Sequence, residues 1–165
     1  MQKVKIYVDM DGCVAKWATD ASIEDTFQPG YFLNREPDMH LIDTVLDLAK
    51  DYDVEILSAV YTDTTAKEEK MRWLKQHRLE NIHAIFVPYG HNKADYIEHE
   101  GVSFLIDDYS VNLRQWASEP DHFGIKYLNG INATKGTWNG FSISHEMSPY
   151  FMAKAIKGIV KEMAA

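Results

Sequence analysis

An α/β fold, with a three-layer Rossmann-like arrangement of a parallel sheet between helices, is what this sequence predicts, and three observations carry it. Short apolar runs rich in β-branched residues recur along the chain, segments of helical spacing alternate with them, and turn-forming residues divide the two. The runs are Val4 to Val8, Val54 to Leu57, Ala84 to Val87, Phe104 to Ile106 and Gly124 to Leu128. Strands of a parallel sheet are covered on both faces, so they read as continuous apolar runs.

The helical segments follow from spacing and end signals. Asp38 to Lys50 follows Pro37 and repeats Leu41, Ile42, Val45, Leu46 and Ala49 along one face. Thr65 to His77 opens on Thr65-x-x-Glu68, a capping-box pattern, and continues through Met71, Trp73 and Leu74. Ser110 to Ser118 starts just after two aspartates, which suits the positive end of a helix. The last helix starts at Ser148-Pro149, a cap followed by proline in the first turn, and carries Met152, Ile156, Ile159, Val160 and Met163 as one stripe toward the core. Two stretches break the alternation. Residues 15–37, between the first strand and the first helix, are aromatic-rich and include Pro29-Gly30. Residues 129–147 are rich in Asn, Gly, Thr and Ser, and read as loop with a short strand pair. Long irregular segments of this kind are often functional loops or lids.

A length of 165 residues fits a single domain over 1–165, and the net charge of −8 argues against a nucleic-acid polymer as partner. A small phosphorylated substrate stays compatible with it, because a local cation can offset an acidic exterior. The one cysteine, Cys13, excludes an intramolecular disulfide, and the seven scattered histidines form no zinc-type spacing. The first residues run straight into a strand-like segment with no signal-peptide apolar region, and no window approaches a membrane span. A soluble cytoplasmic protein without a membrane partner is expected. Nothing in the chain fixes its oligomeric state.

In open α/β sheets ligands bind beyond the carboxyl ends of the strands. There the chain carries Asp9-Met10-Asp11-Gly12 after the first run, Ser58 after the second, Lys93 a few residues after the third, and Asp107-Asp108 after the fourth. Each alone has a plain structural reading: a turn, a helix cap, a solvated lysine, a capping pair. Together they bring four carboxylates, a hydroxyl and an ammonium to one sheet edge. Such a cluster repels itself without a cation, and all-oxygen ligands suit magnesium (Mg2+) better than zinc. No P-loop pattern occurs. Response-regulator receivers place their acidic pair on the first strand end and the phosphoacceptor on a later one, which is not the order here.

The order Asp9/Asp11, Ser58, Lys93, Asp107/Asp108 resembles the four motifs of the haloacid dehalogenase superfamily. That resemblance implies a magnesium-dependent phosphatase in which Asp9 is the nucleophile that forms an aspartyl-phosphate. Asp11 would protonate the leaving alkoxide and then activate water, a pairing that phosphatases have and true dehalogenases lack. Ser58 would hydrogen-bond a phosphate oxygen and Lys93 would neutralise charge on the phosphoryl group and on Asp9. The metal would be held by Asp9, the Asp11 backbone carbonyl and Asp107, with Asp108 binding directly, binding through water, or orienting Lys93.

The run Asp9 to Trp17, together with Pro29-Gly30-Tyr31-Phe32 and Glu36-Pro37, is similar to the 5′(3′)-deoxyribonucleotidase family. That implies a nucleoside (deoxy)monophosphate as substrate. The chain departs from the family at Cys13, at Lys16, and at Ala59, which stands where the family tends to place a second hydroxyl beside Ser58. The superfamily resemblance implies a small cap inserted after the first strand at about 15–37, where Trp17, Phe27, Tyr31 and Phe32 either pack that cap or offer a ring for a base to stack on. Arg35 either binds substrate or pairs on the surface. Two alternatives stand beside this reading: a broader phosphatase for a sugar phosphate or phosphoserine, and a non-catalytic module that binds phosphorylated ligands.

Overall fold

In the computed structural model residues 3–132 and 137–165 are described. The strands are β1 (Val4–Val8), β2 (Asp53–Val60), β3 (His83–Pro88), β4 (Val102–Asp107), β5 (His122–Leu128) and β6 (Phe141–Ser144). The helices are α1 (Met39–Leu48), α2 (Ala66–Gln76), α3 (Ser110–Trp116) and α4 (Pro149–Met163). All strand pairs are parallel and the sheet order is β3-β2-β1-β4-β5-β6. This is the predicted three-layer α/β fold.

Alternation along the strands sorts the core into its two layers. Ile6 and Val8 of β1, Val54 and Ile56 of β2, and Phe104 and Ile106 of β4 face α1, α2 and α4, meeting Leu41, Ile42, Trp73, Met152 and Ile156. Tyr7, Leu57, Val87 and Leu105 point the other way, against Leu113 and Trp116 of α3 and against Trp138. Burying each such aliphatic side chain is worth about 1.5–3 kcal/mol, so both faces hold the sheet between helices. On α4, Ser148 accepts a bond from the Phe151 amide and Pro149 fills the first turn, as the sequence suggests.

Three local expectations are corrected. β2 does not end at Leu57: Ser58, Ala59 and Val60 continue the ladder opposite Phe86, Val87 and Pro88, so Ser58 lies within the strand. The capping box on α2 does not form. Thr65 has φ −80° and ψ 4°, not the extended backbone a cap needs, and its hydroxyl donates to Glu69 instead. Among its described residues the stretch 129–147 supplies one strand, β6, which joins the main sheet beside β5. Residues 133–136 of that stretch, like residues 1 and 2, lie outside the described residues.

The chain places β2 and β3 on one side of β1, then crosses back to place β4, β5 and β6 on the other. The reversal falls between β1 and β4, and a crevice opens at the carboxyl ends of two strands that diverge in this way. Asp9 follows β1 and Asp107 ends β4, so both carboxylates stand at that point.

The expected cap leaves and rejoins the domain through a closed neck. The Lys16 amide donates to Glu36 O (2.8 Å), the Asp38 amide donates to Val14 O (2.8 Å), and Ala15 bridges Pro37. Between them run two 3-10 turns, Glu24–Phe27 and Phe32–Asn34. Tyr31 and Phe32 pack on Val60 and Ala66, and the fully buried Trp73 donates its indole N–H to Arg35 O at 2.7 Å. The cap is thereby fastened to α2.

Candidate active site

The site begins with β1. Its pairing with β4 continues one step past the strand, where the Asp9 amide donates to Ile106 O (2.9 Å). That register sets Asp9 beside Asp107, and both are buried. Two carboxylates so placed repel, and Lys93 resolves the conflict. It opens a 3-10 turn, Lys93–Tyr96, capped by the Asn92 side chain on the Ala94 amide. Its Nζ donates to Asp9 Oδ1 at 2.9 Å and to Asp107 Oδ2 at 2.7 Å. Burial alone would lower the Lys93 pKa, but the charges and hydrogen bonds of Asp107 and Asp9 outweigh it, and the ammonium stays protonated well above its ordinary range. The Asp9 carboxyl is raised, first by burial and then by the Asp107 charge, with Lys93 pulling the other way.

Asp107 is fully engaged. Besides Lys93, its Oδ2 accepts from Asn112 Nδ2 (3.0 Å) and its Oδ1 from the Tyr109 amide (2.9 Å). It therefore orients Lys93, a part the sequence reading offered to Asp108. Asp108 instead lies with Asp9 and Cys13, their donor atoms all within 4.8 Å of one another. Asn129 approaches it from beyond β5, donating to Gly12 O at 2.8 Å and to Asp108 Oδ2 at 3.3 Å, while Asn132 Nδ2 holds the Asp108 carbonyl. Gly12 has φ +79°, and a Cβ there would overlap the Asp108 carboxylate and lie 2.6 Å from Trp17 Nε1. Glycine at this position lets the Asp108 side chain reach the β1 loop.

These contacts bear on the expected metal. The Asp108 carboxyl is pushed well above its ordinary range, first by burial and then by Asp107 and Asp9. Asp9 and Asp108 thus meet at a place short of positive charge, and a hard divalent cation with oxygen ligands fits it. Cys13 does not belong to such a donor set: burial first, then the Asp108 and Asp9 charges, keep its thiol protonated. The oxygen donors placed together here are those of Asp9 and Asp108, while Asp107 is bonded to Lys93, Asn112 and the Tyr109 amide.

Asp11 and Ser58 are joined by a residue that the sequence reading missed. Lys70 of α2 is fully buried, and its Nζ bonds the Asp11 carboxylate, Ser58 Oγ (3.0 Å) and Ala59 O (2.7 Å). A signal for it exists in the sequence: Lys70 shares the helix face of Ala66, Trp73 and Leu74, so a cation stands in an apolar stripe. Ala59 enters through its carbonyl and not through a side chain.

The cap aromatics divide. Tyr31 and Phe32 are packed, Tyr31 against the Arg35 guanidinium at 4.2 Å and Phe32 beneath Lys70 Nζ at 4.4 Å. Arg35 also donates Nε to Tyr31 O, so it ties the cap to itself. Trp17 (39% exposed) and Phe27 (46%) keep open ring surface. Phe27 leans on Tyr61 with centroids 4.5 Å apart, and Tyr61 on Tyr89 at 4.8 Å. Tyr61 and Tyr89, just past β2 and β3, were not singled out from the sequence. Trp138 is a packing residue, its indole donating to Phe141 O.

Among the described residues no helix is long and apolar enough to cross a membrane. The chain matches no protein-family model, and a search of curated proteins finds no match.

Proposed function

We propose that the chain is a divalent-cation-dependent phosphomonoesterase of the haloacid dehalogenase type, with nucleoside (deoxy)monophosphates as its substrates. The observation that carries this reading is Asp9 at the switch point of the sheet, ion-paired by Lys93, with Asp11 two residues on and held next to Ser58 by Lys70.

The chemistry follows from those groups. An Asp9 oxygen attacks phosphorus in line with the ester oxygen, the P–O ester bond breaks, and Asp11 gives its proton to the departing alkoxide. Water then attacks the aspartyl-phosphate, its proton passes to the Asp11 carboxylate, and inorganic phosphate leaves with Asp9 restored. Lys93 offsets charge on the attacking carboxylate and the phosphoryl oxygens, and Ser58 donates its hydroxyl proton to one of those oxygens. Asp9, Asp108 and the Asp11 carbonyl would hold a magnesium ion, which would supply electrostatic stabilisation of the phosphoryl oxygens. The exposed rings of Trp17 and Phe27, with Tyr61 and Tyr89 extending the row, favour a planar leaving group such as a nucleoside.

The test is phosphate release by purified protein with magnesium from a panel of deoxynucleoside, ribonucleoside and sugar monophosphates. Release that is lost in Asp9→Asn and fastest from the nucleotides is expected. No release from any monoester overturns the enzyme reading. Release without preference for a base overturns the substrate class.

A further inference from the structure

We propose that Lys70 is the positioning residue of this site, fixing the Asp11 carboxylate for proton transfer and turning the Ser58 hydroxyl toward the substrate phosphate. The role rests on the phosphomonoesterase reading above.

An ammonium has three N–H donors and no acceptor. Lys70 spends all three on the protein: the Asp11 carboxylate, Ser58 Oγ at 3.0 Å and Ala59 O at 2.7 Å. The Phe32 ring lies 4.4 Å from Nζ. No donor is left for a phosphate oxygen, so Lys70 differs in kind from Lys93, which sits on the nucleophile itself. Each bond has a directional consequence. Ser58 accepts from Lys70, which turns its own proton away from α2. Lys70 bonds Asp11 through Oδ2, so Oδ1 is the oxygen left to carry the transferred proton.

Placing a lysine at 0% exposure costs desolvation that a hydrophobic residue of similar size would avoid, so fold stability alone gives weak grounds for it. Its partners give better grounds. They are the expected proton donor and the expected phosphate-binding hydroxyl, which belong to separate segments, and α2 carries a cation that spans them. The same helix holds the cap through Trp73, so one element aligns both walls of the site.

Proton donation matters for a poor leaving group and little for a good one, and that separates positioning from a structural role. Lys70→Met and Lys70→Gln are compared with wild type on a deoxynucleoside 5′-phosphate, whose alkoxide needs the proton, and on p-nitrophenyl phosphate, whose phenolate does not. The proposal expects kcat to fall by about 100-fold on the first and by less than about 10-fold on the second, within the range of general acid catalysis. KM should rise, and inhibition by inorganic phosphate should weaken, by less than about 10-fold, since Ser58 keeps its hydroxyl and loses only the bond that orients it. Equal losses on both esters, or phosphate inhibition weakened more than about 10-fold, overturn the role and make Lys70 a direct phosphate ligand or a structural residue. Failure of both variants to fold also overturns it. Wild type that hydrolyses neither ester overturns the phosphomonoesterase reading itself, a result distinguishable from the others.

Discussion

Replacing Gly12 by alanine tests how tightly the β1 loop is built against Asp108. Gly12 adopts φ +79°, and an L residue in that region costs about 1–2 kcal/mol. The added methyl then meets two obstacles. Trp17 Nε1 lies 2.6 Å from its position and the Asp108 carboxylate oxygen lies closer still, both inside van der Waals contact. Asp108 cannot withdraw freely, because Asn129 and Asn132 bond its carboxylate and its carbonyl, and breaking such bonds costs about 1 kcal/mol each. The total is about 2–4 kcal/mol, or a fall in Tm of about 5–15 °C for a chain of this size. Urea unfolding is the assay, read as a lower midpoint at unchanged slope. Gly12→Asn separates the causes, since asparagine tolerates positive φ but carries the same Cβ. It should be nearly as destabilised as the alanine variant. A loss below about 1 kcal/mol in both, or near-wild-type stability in the asparagine variant alone, would refute the contact of Asp108 with this loop.

Three further outcomes follow from the packing and charge. Lys93→Met leaves Asp9 and Asp107 buried together without their cation and should cost about 3–5 kcal/mol in urea unfolding; an unchanged midpoint contradicts the ion pairing. Trp73→Phe removes the buried bond to Arg35 O, and limited proteolysis should then cut faster within residues 16–36; an unaltered cleavage pattern contradicts the anchoring of the cap by α2. Burial lowers the His122 pKa, so its neutral form stabilises the fold above its unfolded value near 6.5, and that stability is lost as pH falls through the lower folded value. The raised Asp9 and Asp108 carboxyls act in the opposite sense as pH falls, so the His122 part is read as a difference: from about pH 7 to about pH 5, Tm should fall more, or rise less, in the wild type than in His122→Phe, which keeps a ring against Trp116. Equal changes contradict this.

Much of the fold is legible because its signals are local. The runs around Ile6, Ile56, Phe104 and Ile125 read as buried strands on composition alone, and Ser148-Pro149 marks the start of α4 through cap and ring geometry. Thr65 shows the limit: the residue types of a capping box are present, but the backbone turns differently and the hydroxyl finds Glu69. Within the site, Asp9, Lys93 and Asp107 are legible because the order of strand ends predicts their convergence, and the structure brings them into contact. The division of labour between Asp107 and Asp108 is not legible, because it depends on Asn112, Asn129 and Asn132 arriving from other segments. Lys70 hides for a different reason. Its neighbours Lys67, Glu68 and Glu69 make the segment look like a solvated face, and only its phase with Trp73 places it inward.

The claim on which all of this turns is that the Asp9 carboxylate forms a covalent bond to phosphorus. Rapid acid quench of the protein turning over a monoester with radiolabelled phosphate, followed by peptide mapping, tests it directly. A hydroxylamine-labile label is expected on the peptide containing Asp9, absent from Asp9→Asn. Turnover with no trapped label at any quench time, or label on another residue, would contradict it.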